Sequence, residues 1–278
     1  MSDPVFSRLS SGRAPVPSQI DTSVPSIARV YDYLLGGKDH YEADRQSCRT
    51  MLEAVPETPL LAKANRAFLR RAVRYLVGEV GVRQLVDIGS GLPTAGNVHE
   101  VAQRIDPEVR VLYTDNDPIV LAHGRALLPA DETTGLIHAD LRDPDAIFDD
   151  PETRRLIDPD RPFAVLLGGI LMHLEAEEDP DGVAARIRDR LPSGGYLMAS
   201  NTCDTGEPHA RDLARAFAEG GMGSNCFRTR EQQLHYFDGL ELIEPGLVPN
   251  NQWRPDEDFP DPQNPAHALH IGAIGRKP

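Results

Sequence analysis

Between residues 84 and 200, short apolar runs alternate with amphipathic helical stretches, and this alternation constrains the fold more than any other feature of the chain. Apolar runs of strand length fall at 84–88, 109–114, 136–139, 163–167 and 196–200. Helical patterns occupy 97–105, 118–128, 145–157 and 181–191 between them. Strands joined through helices pair in parallel, because the crossover returns the chain to the end where the first strand began. The expected class is therefore α/β, a parallel sheet with helices on both faces. Beyond Ser200 the pattern changes. Helices are expected at 209–219 and 229–237, then two strands at 240–243 and 269–274. A proline-rich loop, 244–265, separates these strands and contains Trp253.

The segment before the first strand reads differently. Residues 1–24 carry few spaced apolar positions and read as a flexible tail. From Ser26, a candidate N-cap, the residues Ile27, Val30, Tyr31, Leu34 and Leu35 fall on one helix face. Gly36-Gly37 ends that helix, and a second is expected over 41–54. Thr58-Pro59 opens a third as cap and first-turn proline. Its stripe is Leu61, Ala64, Phe68, Ala72, Tyr75 and Leu76, closed by Gly78 and Gly81. The expectation is an N-terminal helical cap over 25–80 and a nucleotide-binding domain over 81–278.

Composition narrows the partners. The 278 residues carry a net charge of −14, and the isoelectric point is near 5.0. Such a chain repels phosphate backbones, so nucleic acid is not an expected partner. No apolar run approaches the ~18 residues of a membrane span. The N-terminus lacks the basic and apolar segments of a secretion signal. Three widely spaced cysteines, Cys48, Cys203 and Cys226, suit reduced thiols in the cytoplasm. Neither Cys-x-x-Cys nor His-Glu-x-x-His occurs, so no metal site is expected.

The chemistry concentrates at strand ends. Leu85-Val-Asp-Ile-Gly-Ser-Gly91 is an apolar strand running into Gly89-x-Gly91, where glycine permits a tight turn and close backbone approach to a ligand. The following helix is expected to aim free N–H groups at the same spot. Asp115 ends the second strand, where an acid accepts hydrogen bonds from ribose hydroxyls. The capping of the next helix falls to Asp117 with Pro118, which leaves Asp115 and its neighbour Asn116 for a ligand. Asp140 ends the third strand, placed to meet an adenine amino group with Leu141 beside the ring, or simply to start a loop. Gly168-Gly169 ends the fourth. Ligands of such sheets sit outside the carboxyl ends of the strands, so Asp87, Gly89, Ser90, Asp115, Asp140 and Gly168 should share one crevice. A dinucleotide fingerprint needs Gly-x-Gly-x-x-Gly/Ala, whereas here Pro93 stiffens the turn and Thr94 stands at the third glycine position.

The Asp-x-Gly-x-Gly form resembles the first motif of class I methyltransferases, which bind S-adenosylmethionine. Ser26-Ile-Ala-Arg-Val-Tyr-Asp-Tyr-Leu-Leu-Gly-Gly-Lys-Asp-His-Tyr-Glu-Ala-Asp44, with the stretch 87–100 and Tyr113-Thr-Asp-Asn-Asp-Pro118, is similar to a family of predicted S-adenosylmethionine-dependent methyltransferases formerly catalogued as a domain of unknown function. The likeness runs from about Pro25 to the C-terminus. It implies a Rossmann-like, mostly parallel seven-stranded sheet with an antiparallel C-terminal strand, and S-adenosylmethionine as cofactor. It names no acceptor. It also implies that the segment 31–40 folds over the cofactor, with Tyr31, Tyr33, Lys38 and His40 as contacts. Aromatic faces attract a sulfonium through cation–π interaction. Tyr31 lies on the apolar stripe and reads equally as core, which makes Tyr33 the stronger contact candidate.

The leading expectation is a methyltransferase acting on a small molecule. A general base is needed only where the acceptor holds its proton tightly. His173 and His40 are the candidates, with Tyr33 as a positioning group. Asn201 and Trp253 are candidates to line an acceptor pocket. His99, His123, His138 and the acidic run 149–152 read as structural or solvated. Two other readings stay open: a non-catalytic protein that senses S-adenosylmethionine, and an NAD-dependent oxidoreductase, for which Asp115 would serve equally well.

Overall fold

A computed structural model describes residues 20–93, 96–129, 131–221, 225–255, 261 and 263–278. Five strands, β1 (Gln84–Ile88), β2 (Arg110–Asp115), β3 (Thr134–His138), β4 (Ala164–Gly168) and β5 (Tyr196–Thr202), form the parallel part of one sheet. Two short strands follow, β6 (Glu241–Leu242) and β7 (Val248–Pro249), and then β8 (His270–Arg276). The order is β3-β2-β1-β4-β5-β8-β6, with β7 also paired to β8. β8 runs antiparallel to β5, from Tyr196↔Arg276 to Thr202↔His270. The chain leaves β1 for β2 on one side and reaches β4 on the other, so a crevice opens at the carboxyl end of β1.

Side chains alternate across the sheet. Val86, Val165, Leu167, Leu197, Ile271 and Ala273 join one core cluster. That face is covered by α6 (Pro144–Asp149), α7 (Pro151–Leu156) and α8 (Pro180–Arg190). Leu85, Leu166, Met198 and Ile274 join the other cluster, with Phe68, Leu69, Ala72 and Val73 of α3 (Thr58–Arg74) and Val98 of α4 (Val98–Gln103). α5 (Pro118–Leu127) packs along β3. Thus α3, read from sequence as part of a cap, belongs to the core of the sheet.

The roof is made by α1 (Ile27–Leu34), α2 (Glu42–Ala54) and α9 (Pro208–Glu219), which share a third cluster around Val30, Cys48, Met51, Leu213 and Phe217. Their closest tie is ionic. Arg29 Nε donates to both oxygens of Asp44 at 3.0 and 2.9 Å, and both side chains are buried. Asp44 also accepts the backbone N–H groups of Ser26 and Tyr41. Arg29 reaches the carbonyls of Asp21 and Val24 as well.

Several local expectations change. Ser26 does not cap α1 with its side chain; its hydroxyl donates to Asp117 Oδ2 at 2.5 Å, which moors α1 to the start of α5. Thr58 is the first helical residue, its hydroxyl turned back to the Val55 carbonyl. The helix expected over 145–157 is two, because Asp150 caps a new start at Pro151. The sheet has eight strands instead of seven. The extra one, β7, pairs Val248 with Gly272 and Pro249 with Ile271 inside the loop read as irregular. Two residues, one of them proline, carry no periodicity to detect. Of the expected tail, 1–19 lie outside the described residues, while Ile20 packs against Leu92, Ile119 and Val120. Among the described residues no helix is long and apolar enough to cross a membrane.

Removing one member of a buried ion pair strands the other charge, at a cost of about 3–5 kcal/mol. Asp44→Ala is therefore expected to lower unfolding free energy by that order in denaturant titration. A loss under about 1 kcal/mol would mean that Arg29 finds water or another partner.

Candidate active site

β1 ends at a pair of glycines that the backbone requires. Gly89 has φ +69° and Gly91 φ +67°. A Cβ on Gly89 would meet Ile170 Cγ1 at 2.6 Å, so only glycine lets the β4 loop close over this turn. The Gly89 and Ser90 N–H groups are spent on the Thr114 carbonyl. Asp115, at the tip of β2, accepts the Gly91 N–H and the Asp117 N–H, both at 2.9 Å. Asp117 Oδ1 accepts the Ile119 N–H and caps α5, as expected. Asp140, beyond β3, accepts from Asn116 Nδ2 at 3.0 Å and from the Arg142 amide and guanidinium.

These strand tips line two adjoining cavities of about 220 and 230 Å³ that share Ile27, Gly89, Asp115, Asn116, Ile170 and His173. Asp140 and Leu141 line one. Tyr31, Asp87, Ser90, Gly91 and Gly168 line the other. Pro93 sits one step away, beside Arg66 and Asp87 in a gap of about 10 Å³. Thr94 lies outside the described residues.

The two tyrosines of α1 are placed differently. Tyr31 lines the cavity, its hydroxyl donating to the Ala62 carbonyl at 3.1 Å. Tyr33 does not; its ring packs edge-on against His40 at 4.9 Å. His40 bonds to the Gly37 carbonyl and to Arg45. Lys38 is exposed. Asp32 explains the diversion: its backbone carbonyl takes the Gly37 N–H and its carboxylate the Asp39 N–H, which folds 36–40 away from the strand tips. Of the candidate bases only His173 faces the cavities, on the 3-10 turn Leu171–His173 that follows β4. Asn201 does not line them. It accepts the Met172 N–H at 3.0 Å and so holds that turn. Trp253 is wholly buried under α3, edge-on to Phe68 and Tyr75.

Sequence reasoning missed Asn65, Arg66, Leu69, Met172, Phe217 and His270, all on the cavity wall. Asn65 and Arg66 stand side by side between Ala64 and Ala67, beside the apolar stripe of α3, a signal that was available. His270 opens β8 and offered none.

Burial dominates the electrostatics. It pushes the Asp87 carboxyl up to about 7, with Arg66 opposing and Asp115 adding to the rise. It raises Asp115 as well, against the hydrogen bonds from Asp117 and Gly91. Asp140 also feels burial, but its bonds to the Arg142 amide, Asn116 and the Arg142 guanidinium outweigh it and hold the group below the usual range. His270 is driven down to about 3 by burial and then by His173.

The helix after the glycine turn is not an anion cradle. Glu100 Oε2 takes the Gly96 and Asn97 N–H groups, and the Tyr113 hydroxyl takes that of His99. A pyrophosphate would find these donors already engaged.

Residues 13–278 match the family described as S-adenosyl methyltransferase. The chain belongs to this family. A solved structure of a candidate methyltransferase from Thermobifida fusca YX is 47% identical. It covers 92% of this chain and 96% of its own, with a TM-score of 0.88. A DUF574 family protein from Streptomyces avermitilis is 40% identical, covers 93% and 99%, and also scores 0.88. A Mesorhizobium loti S-adenosylmethionine-dependent methyltransferase shares the fold alone, at 19% identity and 0.51 over 74% of this chain and 96% of that one. No curated protein matches. The family establishes a methyltransferase class and S-adenosylmethionine as its cofactor, on a mostly parallel Rossmann-like sheet. It leaves the acceptor unnamed.

Asp87 supplies a test of this electrostatic picture. Its folded pKa lies above the ordinary 3.8. The group therefore favours the folded chain below about pH 4, and this contribution is lost as pH rises through about 7. A shift of roughly three units bounds the effect near 4 kcal/mol. In the ligand-free protein, Asp87→Asn should raise the thermal midpoint by clearly more at pH 8 than at pH 5, because at pH 5 only part of the penalty is felt. An equal change at both would show that the buried charge is not what destabilises.

Proposed function

We propose that the chain transfers the methyl group of S-adenosylmethionine to a small-molecule acceptor, with the cofactor across the tips of β1, β2 and β3 and the acceptor beyond β4. The observation that carries this reading is that acids from three adjacent strands, Asp87, Asp115 and Asp140, face one crevice. The residues fit the cofactor. Asp115 suits the paired ribose hydroxyls. Asp140 stands where it could accept from an adenine amino group by exchanging one of its bonds to Asn116 or Arg142, and Leu141 lies beside the ring position. Asp87 would meet the ammonium end and Arg66 the carboxylate. The buried Asp87 is disfavoured as an anion until a cation arrives, so cofactor binding and its ionisation support each other. Tyr31 offers a ring face to the sulfonium. Gly89, Ser90 and Gly91 give the backbone its close approach.

S-adenosylmethionine supplies a methyl group made electrophilic by positive sulfur. The chain has to hold the acceptor in line and keep water out, and such positioning contributes roughly 7–11 kcal/mol. Leu69, Ile170, Met172 and Phe217 give the acceptor side an apolar wall. His173 stands where it could take a proton from an O–H or N–H acceptor, with Asn201 fixing its turn. The net charge of −14 favours small molecules over nucleic acid. A sensor would have no use for the extension of the crevice to Met172, Phe217 and His270, which favours catalysis over binding alone. The engaged N–H groups at the start of α4 speak against NAD.

Calorimetric titration with S-adenosylmethionine should give one saturable site, with NAD silent. Asp115→Ala should weaken it about tenfold or more, the worth of hydrogen bonds to a charged group. Unchanged affinity in a folded variant would remove Asp115 from the site. Metabolite extract incubated with labelled cofactor should yield a methylated small molecule by mass spectrometry. His173→Gln should slow its formation while leaving cofactor affinity intact. Absence of any product would leave the sensor reading standing.

A further inference from the structure

A buried chain of hydrogen bonds runs behind the acceptor side of the crevice, and its donors and acceptors can be assigned from the backbone outward. A carbonyl only accepts. The Gly168 carbonyl faces Asn65 Nδ2 at 3.4 Å. The Tyr31 hydroxyl faces the same nitrogen at 3.2 Å, and its proton is already given to the Ala62 carbonyl. Both anchors need a donor, so Asn65 presents its amide nitrogen to them and its oxygen to the opposite side. That oxygen receives the Ser200 hydroxyl at 2.7 Å and Asn250 Nδ2 at 3.2 Å. Asn250 must therefore present nitrogen as well. Its second N–H reaches His270 Nδ1 at 2.8 Å. An amide nitrogen cannot accept, so Nδ1 is the bare nitrogen of the ring and the proton sits on Nε2.

The framework holds this arrangement firmly. Period-two alternation on β8 puts His270, Gly272 and Ile274 on the face toward α3. A Cβ on Gly272 would stand 2.6 Å from Asn250 Oδ1, so glycine is what admits Asn250 here. Arg71 bonds to the Asn250 and Trp253 carbonyls at 2.5 and 2.8 Å. On the other side of the ring, Nε2 lies 3.9 Å from the place of a Cβ on Gly169, at the β4 tip. His270 is 6% exposed and lines the cavity. Nε2 makes no hydrogen bond among the described residues. Its N–H is left to the cavity that the ring lines, and the ring is oriented by four side chains.

We propose that His270 is a specificity residue for the methyl acceptor, its fixed Nε2–H donating to an acceptor oxygen at the end of β4. This rests on reading the crevice as a methyl-transfer site. The apolar wall of Leu69, Ile170, Met172 and Phe217 then defines the class: a small, largely apolar molecule carrying a hydroxyl of phenolic or enolic character. In the transfer, the oxygen–methyl bond forms as the sulfur–methyl bond breaks, the bonding pair goes to sulfur, and the hydroxyl proton passes to His173. The Nε2–H stabilises negative charge gathering on the oxygen. A neutral ring does this without itself giving up a proton, as the low basicity of the buried His270 requires.

The first measurement needs no acceptor. Imidazole ¹⁵N NMR of the ligand-free full chain should show His270 protonated on Nε2 alone, and Asn250→Ala should mix the tautomers. A ring protonated on Nδ1 overturns the assignment. The second measurement titrates phenol into the protein saturated with S-adenosylhomocysteine. His270→Leu should weaken phenol about tenfold, and His270→Gln, which keeps a donor near the same place, should restore most of it. S-adenosylhomocysteine affinity should stay within a few fold in both variants. Equal phenol affinity in the wild type and His270→Leu, or no phenol binding by the wild type, overturns the proposal. Failure of the wild type to bind S-adenosylhomocysteine overturns instead the reading on which it rests.

Discussion

The buried pair of Arg29 and Asp44 organises everything that lies over the strand tips. One carboxylate gathers the guanidinium of α1 and two backbone N–H groups that precede α1 and α2. One guanidinium in turn ties down the chain at Asp21 and Val24. Neither charge has water to fall back on, so the pair forms in this geometry or is replaced by a large penalty. Its consequence is the placement of α1. With Ser26 bonded to Asp117, the helix starts at the tip of β2 and projects Ile27 and Tyr31 into the crevice. A fold that supplies only strand tips offers an open edge. The ion pair turns that edge into a roofed site.

The parts of this architecture that follow repeating rules were legible in the sequence. Strand and helix periodicity located the parallel strands, and the apolar run into Gly89-Ser-Gly91 located the turn around which the crevice opens. Asp115 could be separated from Asp117 because capping needs only the residue before Pro118. The roof was legible only in outline. Helical periodicity says which residues share a face, and on α1 it grouped Tyr31 with the core. The cavity, however, lies along that same face, so Tyr31 lines it while Tyr33 turns to His40. His270 escaped for a different reason, while Asn65 and Arg66 were visible as polar residues beside the apolar stripe of α3 but without a partner to point to. His270 opens a strand whose pattern is fully explained by packing, and all three acquire a role only when α3, β4 and β8 meet. Loop 244–265 shows the same limit, since β7 and the burial of Trp253 depend on partners far along the chain.

The site concentrates unfavourable charge in an apolar setting. Burial raises both Asp87 and Asp115, Asp115 adds to the rise of Asp87, and Arg66 offsets only part of that cost. A folded chain gains nothing from such a group, so its presence makes sense through what it binds. On the proposed reading, a ligand with a cationic end and a carboxylate restores the balance that burial removed, and Asp87 and Arg66, which line the same cavity, each receive a counter-charge. The protein is thus less stable empty than it would be with a neutral residue at position 87, and the difference is available to cofactor affinity.

The antiparallel strand gives the acceptor side a different character. β8 enters beside β5 from the opposite direction, so its first residue, and not its last, lies at the level of the β4 tip. His270 therefore arrives at the crevice from a strand whose remaining residues are locked into the sheet, and with Asn250 held by Arg71 and β7, the ring has no freedom to reverse. His173, by contrast, sits on a half-buried 3-10 turn held by Asn201. One histidine is fixed as a donor by the fold, and the other stands half-buried on the turn, where the proposed transfer uses it to take up the hydroxyl proton. Two identical side chains facing one cavity are thereby given different chemistry by burial and by what stands behind them.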